Sequence, residues 1–392
     1  MYFSISNSLL FLFFVNIFSP VAYGMEGTIE GHDKMQSRPV GLTLHEHEEV
    51  ESIDKDTHQT IVLIPREDAL VFTRMKINQD GKRNYGYIYE NGFKAIHPDF
   101  VQYVISKGGK FLEIGAARGN TLKIIYDLQK NAEKKKEITY VLNEINVESQ
   151  EYLQKNFSSQ ENITPTLSKA DGVEHVNNLK NKETYEAIYA GMVAHFFPPM
   201  KYIRFLVGCN AALKMGGKLY YTQNIYDWPY NDLARIDYDT NKKKSQEFPG
   251  YFFSEKAASL EVLFYIHESA KQHAQENREK YNELFMKAVS NPHIIKYQPL
   301  HYHDQDTIKP LLVTCGFKIN KCHNYKETYK DGNILRYVGI IAEKAGMPNE
   351  EGVKKLMASG EKVEQAYAEY RKNLSSILQK NIPDFLQSTR YN

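Results

Sequence analysis

The chain has 392 residues, with 49 Lys and Arg against 48 Asp and Glu, so its formal net charge is only +1. A balance this even offers no electrostatic footprint for a polyanion, and nucleic acid is not expected as a partner. The apolar fraction, 42%, is that of an ordinary soluble globular protein, and the length suits two ordinary domains or one enlarged one.

The first segment is the stretch from Leu9 to Ile17, apolar except for Asn16, followed by Pro20 and by Ala22-Tyr23-Gly24. Small residues at Ala22 and Gly24 suit a cleavage site, so residues 1–24 read as a secretory signal peptide. The competing readings are an uncleaved anchor or a start at Met25; the apolar run is shorter than the roughly 20 residues a bilayer crossing needs. The expectation is a secreted protein with no stable membrane insertion once residues 1–24 are removed. Cys209, Cys315 and Cys322 have neither metal-ligand spacing nor the number for a disulfide framework. They read as buried free thiols, with a Cys315–Cys322 bridge as the alternative, and a disulfide-poor exported protein points to a reducing final compartment.

Residues 25–94 read as an N-terminal leader with short strands at 61–65 and 69–75. His45 and His47 in its polar part read as loop polarity rather than a metal site. His97 to Ser106 has the spacing of an amphipathic helix that stops at Gly108-Gly109. Strand and helix then alternate: strand 110–114, helix 121–131, strand 138–143, helix 147–156, strand 185–190, helix 199–214 and strand 217–223. Such alternation implies a doubly wound α/β fold, a mostly parallel sheet with helices on both faces. Two further strands, 317–324 and 334–343, flank Lys330-Asp331-Gly332-Asn333, and an Asp-Gly turn between β-rich runs signals an antiparallel hairpin. Residues 224–306 form a long insertion and 346–392 a charged helical tail.

The stretch richest in chemistry is Phe111-Leu112-Glu113-Ile114-Gly115-Ala116-Ala117-Arg118-Gly119-Asn120. A hydrophobic strand ends in an acid and a glycine, and a second glycine opens a helix. Such a bend lets a ligand approach the backbone, and the helix N-terminus favours negative charge. A dinucleotide fingerprint requires G-x-G-x-x-G, which Gly115-Ala116-Ala117-Arg118-Gly119 does not supply.

The E-x-G-x-x-x-G form resembles instead the first motif of class I S-adenosylmethionine-dependent methyltransferases, with Ala117 in place of the usual middle glycine. The resemblance continues in order. Tyr140-Val141-Leu142-Asn143-Glu144 is similar to the second strand with its terminal acid, and Lys169-Ala170-Asp171-Gly172 matches the end of the third. Tyr185 to Ala190 looks like the fourth, and Leu213 to Leu219 has the helix, double-glycine turn and fifth strand. Ile308 to Phe317 resembles the helix leading into the terminal hairpin. The likeness spans residues 95–345. It implies a seven-stranded sheet with a C-terminal antiparallel hairpin, carrying 224–306 as a helical and aromatic cap, and S-adenosyl-L-methionine as cofactor. It further implies that Glu113, Gly115, Ala116 and Gly119 face the amino-acid end of the cofactor. Glu144 would take the ribose hydroxyls, a task suited to a carboxylate because it accepts two hydrogen bonds. Asp171 and Gly172 would meet the adenine, and Ala190 would line the site. The competing reading leaves Glu144 and Asp171 as ordinary surface acids.

Gly191 to Pro199, after the fourth strand, faces the acceptor in that family. Here it lacks the Asn-Pro-Pro-Tyr type of motif that accompanies amino-group methylation, so oxygen is slightly favoured as acceptor atom. His195 reads either as a general base or as a packing histidine. Tyr226, Trp228 and Tyr230 open the insertion and read as an aromatic lid on the acceptor or as a small satellite core. His301-Tyr302-His303-Asp304 has ligand-like spacing but reads as loop polarity, so no metal is expected. Three functions follow: an active methyltransferase on a small molecule or accessible side chain, a binding protein that kept the fold and lost turnover, or an aminopropyl transferase. The last is disfavoured, since the acidic Gly-Gly-x-Asp-Gly signature is absent. The cofactor is cytosolic and residues 1–24 read as an export tag; a protein acting in the cytosol of another, host cell reconciles the two.

Overall fold

A computed structural model describes residues 96–388, apart from 131, 133, 161, 227–230, 245, 275–276, 291–299 and 329–333, and four short strands ahead of them. These pair antiparallel in twos: β1 (Ser52–Asp54) with β2 (Gln59–Ile61), and β3 (Met75–Ile77) with β4 (Arg83–Tyr85). Of the expected strands 61–65 and 69–75, only the end residues Ile61 and Met75 fall in these pairs. The export segment 1–24 and the His45–His47 pair lie outside the described residues. Among the described helices none is long and apolar enough to cross a membrane.

The chain divides into two compact units, one of residues 72–258 and 299–370, the other of 1–71, 259–298 and 371–392. The insertion expected at 224–306 is therefore split, its first part belonging with the sheet.

The sheet-bearing unit opens with α1 (His97–Lys107), where Ile96, Phe100, Val101 and Val104 recur at helical spacing and are buried. Pro98 suits the first turn, and Gly108 (φ 67°) and Gly109 (φ 106°) turn the chain directly into β5 (Gly109–Ile114). There follow α2 (Asn120–Lys130), β6 (Ile138–Asn143), α3 (Val147–Asn156), β7 (Ile163–Ser168), α4 (Gly172–Asn177), β8 (Tyr185–Gly191), α5 (Pro199–Ala212) and β9 (Leu213–Asn224). After α6 (Asp232–Lys243) come α7 (Glu255–Ala274) and α8 (Arg278–Val289). Next are α9 (Gln305–Thr314), β10 (Phe317–Thr328), β11 (Ile334–Lys344), α10 (Glu350–Lys372) and α11 (Leu374–Ser388).

Seven strands form one sheet in the order β10-β11-β9-β8-β5-β6-β7. The run β9-β8-β5-β6-β7 is parallel, and β11 is antiparallel to both β9 and β10. This is the doubly wound sheet with a terminal antiparallel hairpin that the alternation and the hairpin signal imply; the turn at 330–333 lies outside the described residues. The strand order reverses at β5, whose neighbours are β6 and β8, and open α/β sheets bind ligands beyond the carboxyl ends of the strands at such a point. Tyr140, Tyr189 and Tyr220 from three strands meet Phe100 of α1 with ring centroids 6.4, 5.0 and 5.2 Å away, making the core of that face. On α10, the Glu364 carboxylate accepts the Met200 amide at 2.7 Å in the first turn of α5, where negative charge offsets unpaired amides. Tyr251 and Phe252 of the insertion pack on Tyr367 of the same helix at 5.8 and 5.6 Å.

In the second unit, α8 and α11 carry an aromatic cluster in which Phe285 stacks on Phe385 at 6.1 Å. His267 of α7 shares a hydrogen bond with Tyr281 at 2.9 Å. The helical part of the insertion here is two helices, the second capped by Asn277, whose side chain accepts the Lys280 amide.

Candidate ligand-binding site

The loop from β5 to α2 runs Gly115-Ala116-Ala117-Arg118-Gly119, and three of its five residues sit at positive φ: Gly115 at 69°, Ala117 at 53° and Gly119 at 72°. Gly115 and Ala116 both donate their amides to the Asn143 carbonyl, at 2.9 and 3.0 Å, which locks the loop to the end of β6. Glu144, the next residue, accepts the Ala117 amide on Oε2 at 2.7 Å and the Asn146 amide on Oε1 at 2.8 Å. Burial pushes its carboxyl up while these amides pull it down. Two bonds leave lone pairs on each oxygen for further donors.

The other sides of the crevice close on the same loop. A side chain at Gly115 would meet Val193 Cγ2 at 2.5 Å, so the segment after β8 lies directly on the glycine. One at Gly172 would meet Ile114 Cγ2 at 2.6 Å and Asn143 Oδ1 at 3.0 Å, which sets the start of α4 on the ends of β5 and β6. Ala190 is level with Ile114 across the β5–β8 ladder and is fully buried. Met192 stands in the left-handed region at φ 56°, held there by donating its amide to the carbonyl and hydroxyl of Thr222 at 3.1 and 3.0 Å. The structure thus brings together Gly115, Ala116, Gly119, Glu144, Gly172 and Ala190.

Two acids sit differently from the expectation. Glu113 is buried, and its oxygens accept Thr121 Oγ1 at 2.6 Å and the Tyr140 hydroxyl at 3.0 Å. Desolvation, with Glu144 nearby adding charge repulsion, raises its carboxyl to about 7 despite those bonds. Asp171 is the N-cap of α4, accepting the Val173 amide at 2.8 Å, and its other oxygen pairs with Lys201 at 2.8 Å.

Beyond the end of β8, His195 lies in a short 3-10 turn, almost fully buried, with its pKa lowered to about 3 by burial and by His301 beside it. Its Nδ1 has no hydrogen-bond partner. Tyr226 is buried among Tyr238, Phe253 and Tyr302, at 6.1, 5.1 and 5.3 Å, the satellite-core arrangement. Trp228 and Tyr230 lie outside the described residues.

The surprise is 301–304, expected as loop polarity. His301 and His303 are fully buried, their ring centroids 4.4 Å apart. The segment is extended: the His301 amide donates to the His195 carbonyl at 2.7 Å, and Tyr302 bridges Gly250. In extended chain, residues two apart share a face, so H-x-H spacing was a usable signal for this buried pair. Asp304 begins α9 as part of a capping box with Thr307 and pairs with Lys242 at 2.5 Å. Among the described residues no three His, Cys, Asp or Glu side chains converge as metal ligands. Cys209, Cys315 and Cys322 are free and buried.

No protein-family model matches the chain, and no curated protein matches it either. Solved structures similar to it include a SAM-dependent methyltransferase of Methanosarcina mazei, 15% identical, with 62% of this chain and 96% of that chain covered and a TM-score of 0.38. Another is a 1,6-didemethyltoxoflavin-N1-methyltransferase of Burkholderia thailandensis with bound S-adenosylhomocysteine, 12% identical over 64% of this chain and 78% of that one, TM-score 0.37. A Zn-dependent alcohol dehydrogenase of Rhodobacter sphaeroides scores 0.38 at 10% identity, over 63% and 89% of the two chains. The fold assignment stands on the strand order and registers given above.

Proposed function

We propose that the chain is an S-adenosylmethionine-dependent methyltransferase, transferring a methyl group to a nucleophile, oxygen slightly favoured, on a small molecule or an accessible side chain. The observation that carries this reading is the tie between the glycine loop and the carboxylate ending β6, Ala117 N to Glu144 Oε2 at 2.7 Å, at the point where strand order reverses. The residues fit that cofactor. Gly115 has no room for a side chain beneath Val193 and sits at positive φ, so the loop presents bare backbone. Glu144 keeps acceptor capacity for a ribose diol, and Gly172 starts a helix, where a backbone amide has no intrahelical partner and suits an adenine ring nitrogen.

When bound, the cofactor supplies a methyl group on a sulfonium. The chain's own part is mainly positioning: Gly115, Ala116 and Gly119 shape the cradle, Glu144 orients the sugar, and Val193 with the Gly191–Met192 bend separates cradle from acceptor. Isothermal titration of the full chain with S-adenosylmethionine tests the reading. Saturable binding that Glu144→Ala weakens is expected; no binding, or binding indifferent to that change, overturns it.

A second reading, binding without turnover, is favoured by one feature: Asp171 spends both oxygens inside the protein, on the α4 cap and on Lys201. Cofactor binding without methyl transfer to any cell extract would select it. We infer also that the protein is exported and acts inside another cell, supported by the character of residues 1–24 and by three free thiols. Fractionation that found the full-length chain only in the producer's cytosol would sink this.

A further inference from the structure

Two imidazoles at the carboxyl edge of the sheet have defined tautomers. His301 Nδ1 lies 3.2 Å from the Phe197 carbonyl, a group that only accepts, so Nδ1 carries the proton and Nε2 is left as a bare lone pair. His303 Nδ1 lies 3.0 Å from Thr307 Oγ1. In the capping box that hydroxyl receives the Asp304 amide, and it lies 3.2 Å from both Asp304 O and Oδ1, which only accept, so its own proton has partners there. With the proton so placed it accepts from His303, which leaves His303 Nε2 bare as well. Both Nε2 atoms are buried and have no hydrogen-bond partner.

A buried acceptor without a donor costs on the order of 1–3 kcal/mol, and two side by side call for a ligand. Lone pairs are met by a metal or by a proton donor. Since no third metal-ligating side chain converges on them among the described residues, a proton donor fits better. The walls are rings: Tyr202, Phe248 and Tyr251 stand 4.9, 5.6 and 5.6 Å from His301. The pair is fixed to the acceptor side of the proposed crevice, because Gln223 at the end of β9 donates to the His301 carbonyl at 2.6 Å and His195 accepts the His301 amide.

We propose that His301 and His303 form the acceptor subsite and that its ligand is an aromatic hydroxyl compound, a phenol or hydroxylated heteroaromatic, with His301 Nε2 receiving the hydroxyl proton. This rests on the methyltransferase reading and deepens it. Burial keeps His301 neutral and therefore accepting at Nε2, and the ring-lined walls suit an aromatic hydroxyl compound rather than an alkyl alcohol. In the transfer, the O–H proton passes to His301 Nε2 and the oxygen's electron pair takes the methyl carbon. The carbon–sulfur bond breaks with its pair left on sulfur, and the imidazolium later returns its proton to water. Entry requires the packed rings of Phe248 or Tyr251 to move, since the nitrogens are sealed as they stand.

The test uses the full chain, nitrogen-15 histidine spectra and 4-nitrophenol as probe. Both histidines should show the Nδ1–H tautomer near neutral pH. 4-Nitrophenol should bind saturably, shift the His301 Nε2 resonance, and bind at least tenfold more weakly to His301→Gln and His303→Gln, whose thermal unfolding and S-adenosylmethionine binding stay close to wild type. An Nε2–H tautomer at His301, no binding of the probe, or equal binding by both variants overturns the proposal. If instead the probe binds as described while no S-adenosylmethionine binds, the subsite stands and the methyltransferase reading falls.

Discussion

Glu144 fastens the glycine loop of one strand to the helix that follows the next: one oxygen holds the Ala117 amide at 2.7 Å and the other the Asn146 amide at 2.8 Å. Removing the carboxylate strands two amides in a nearly closed site. Glu144→Ala is expected to lower stability by about 2 kcal/mol and, if the cofactor reading holds, to cut S-adenosylmethionine affinity by more than tenfold. Glu144→Gln should fall between, since its amide keeps one acceptor. Urea unfolding and calorimetric titration on the same samples separate the two effects; full stability with unchanged affinity would show that the tie is idle.

Ala117 stands at φ 53°, where a β-carbon is strained. Left-handed backbone costs an alanine about 1–2 kcal/mol, while glycine gives back about 0.5–1 kcal/mol in unfolded-chain entropy. Ala117→Gly should therefore be neutral to stabilising by about 1 kcal/mol, with cofactor binding retained. A loss of stability measured by denaturant midpoint would mean that the alanine methyl contributes packing that outweighs the backbone strain.

Gly115→Ala combines two penalties, a positive φ of 69° and a contact of 2.5 Å with Val193 Cγ2. The single change should destabilise and impair cofactor binding. Adding Val193→Ala should recover the steric share alone, so a double-mutant cycle on unfolding free energy should show favourable coupling between the two sites. Strict additivity would place Val193 away from the glycine in solution.

The parts of this fold that were legible in the sequence are those where one physical signal dominates. Phe100, Val101 and Val104 at helical spacing before two glycines located α1, and buried runs such as Phe111–Ile114 and Tyr185–Ala190 located central strands. β7, Ile-Thr-Pro-Thr-Leu-Ser, lacks a strand's pattern because it is the sheet edge, half exposed and tolerant of Pro165. The glycine loop and Glu144 were legible because backbone access and a paired carboxylate leave a local spacing. The engagement of Glu113 with Thr121 and Tyr140 was not, since its partners come from a helix and a neighbouring strand. His301 and His303 were misjudged for the same reason: the groups that make that segment core, Phe197, Tyr202, Gln223, Phe248 and Tyr251, all come from distant parts of the chain.

The last expectation concerns acid. His97 is lowered to about 4 and His195 and His303 to about 3, and His175 and His301 are lowered from the ordinary imidazole value as well, each chiefly by burial. An unfolded histidine takes up its proton near pH 6.5, so below that point the unfolded chain binds protons the folded one refuses, and stability falls as pH drops. Each group contributes up to about 1.4 kcal/mol per pH unit. Glu113 works the other way: with its carboxyl raised to about 7, the folded state holds a proton the unfolded state loses above the ordinary carboxyl range, and stability falls as pH rises toward 7. Glu144, also raised by burial, acts in the same direction as Glu113, but five histidines outweigh two glutamates, so denaturant midpoints of the sheet-bearing unit should decline steadily from about pH 6.5 to about pH 4. Glu113→Gln should steepen that decline and His303→Gln should flatten it. A midpoint that stays level over this range, or responds to neither change, would mean that these side chains reach solvent in the folded protein.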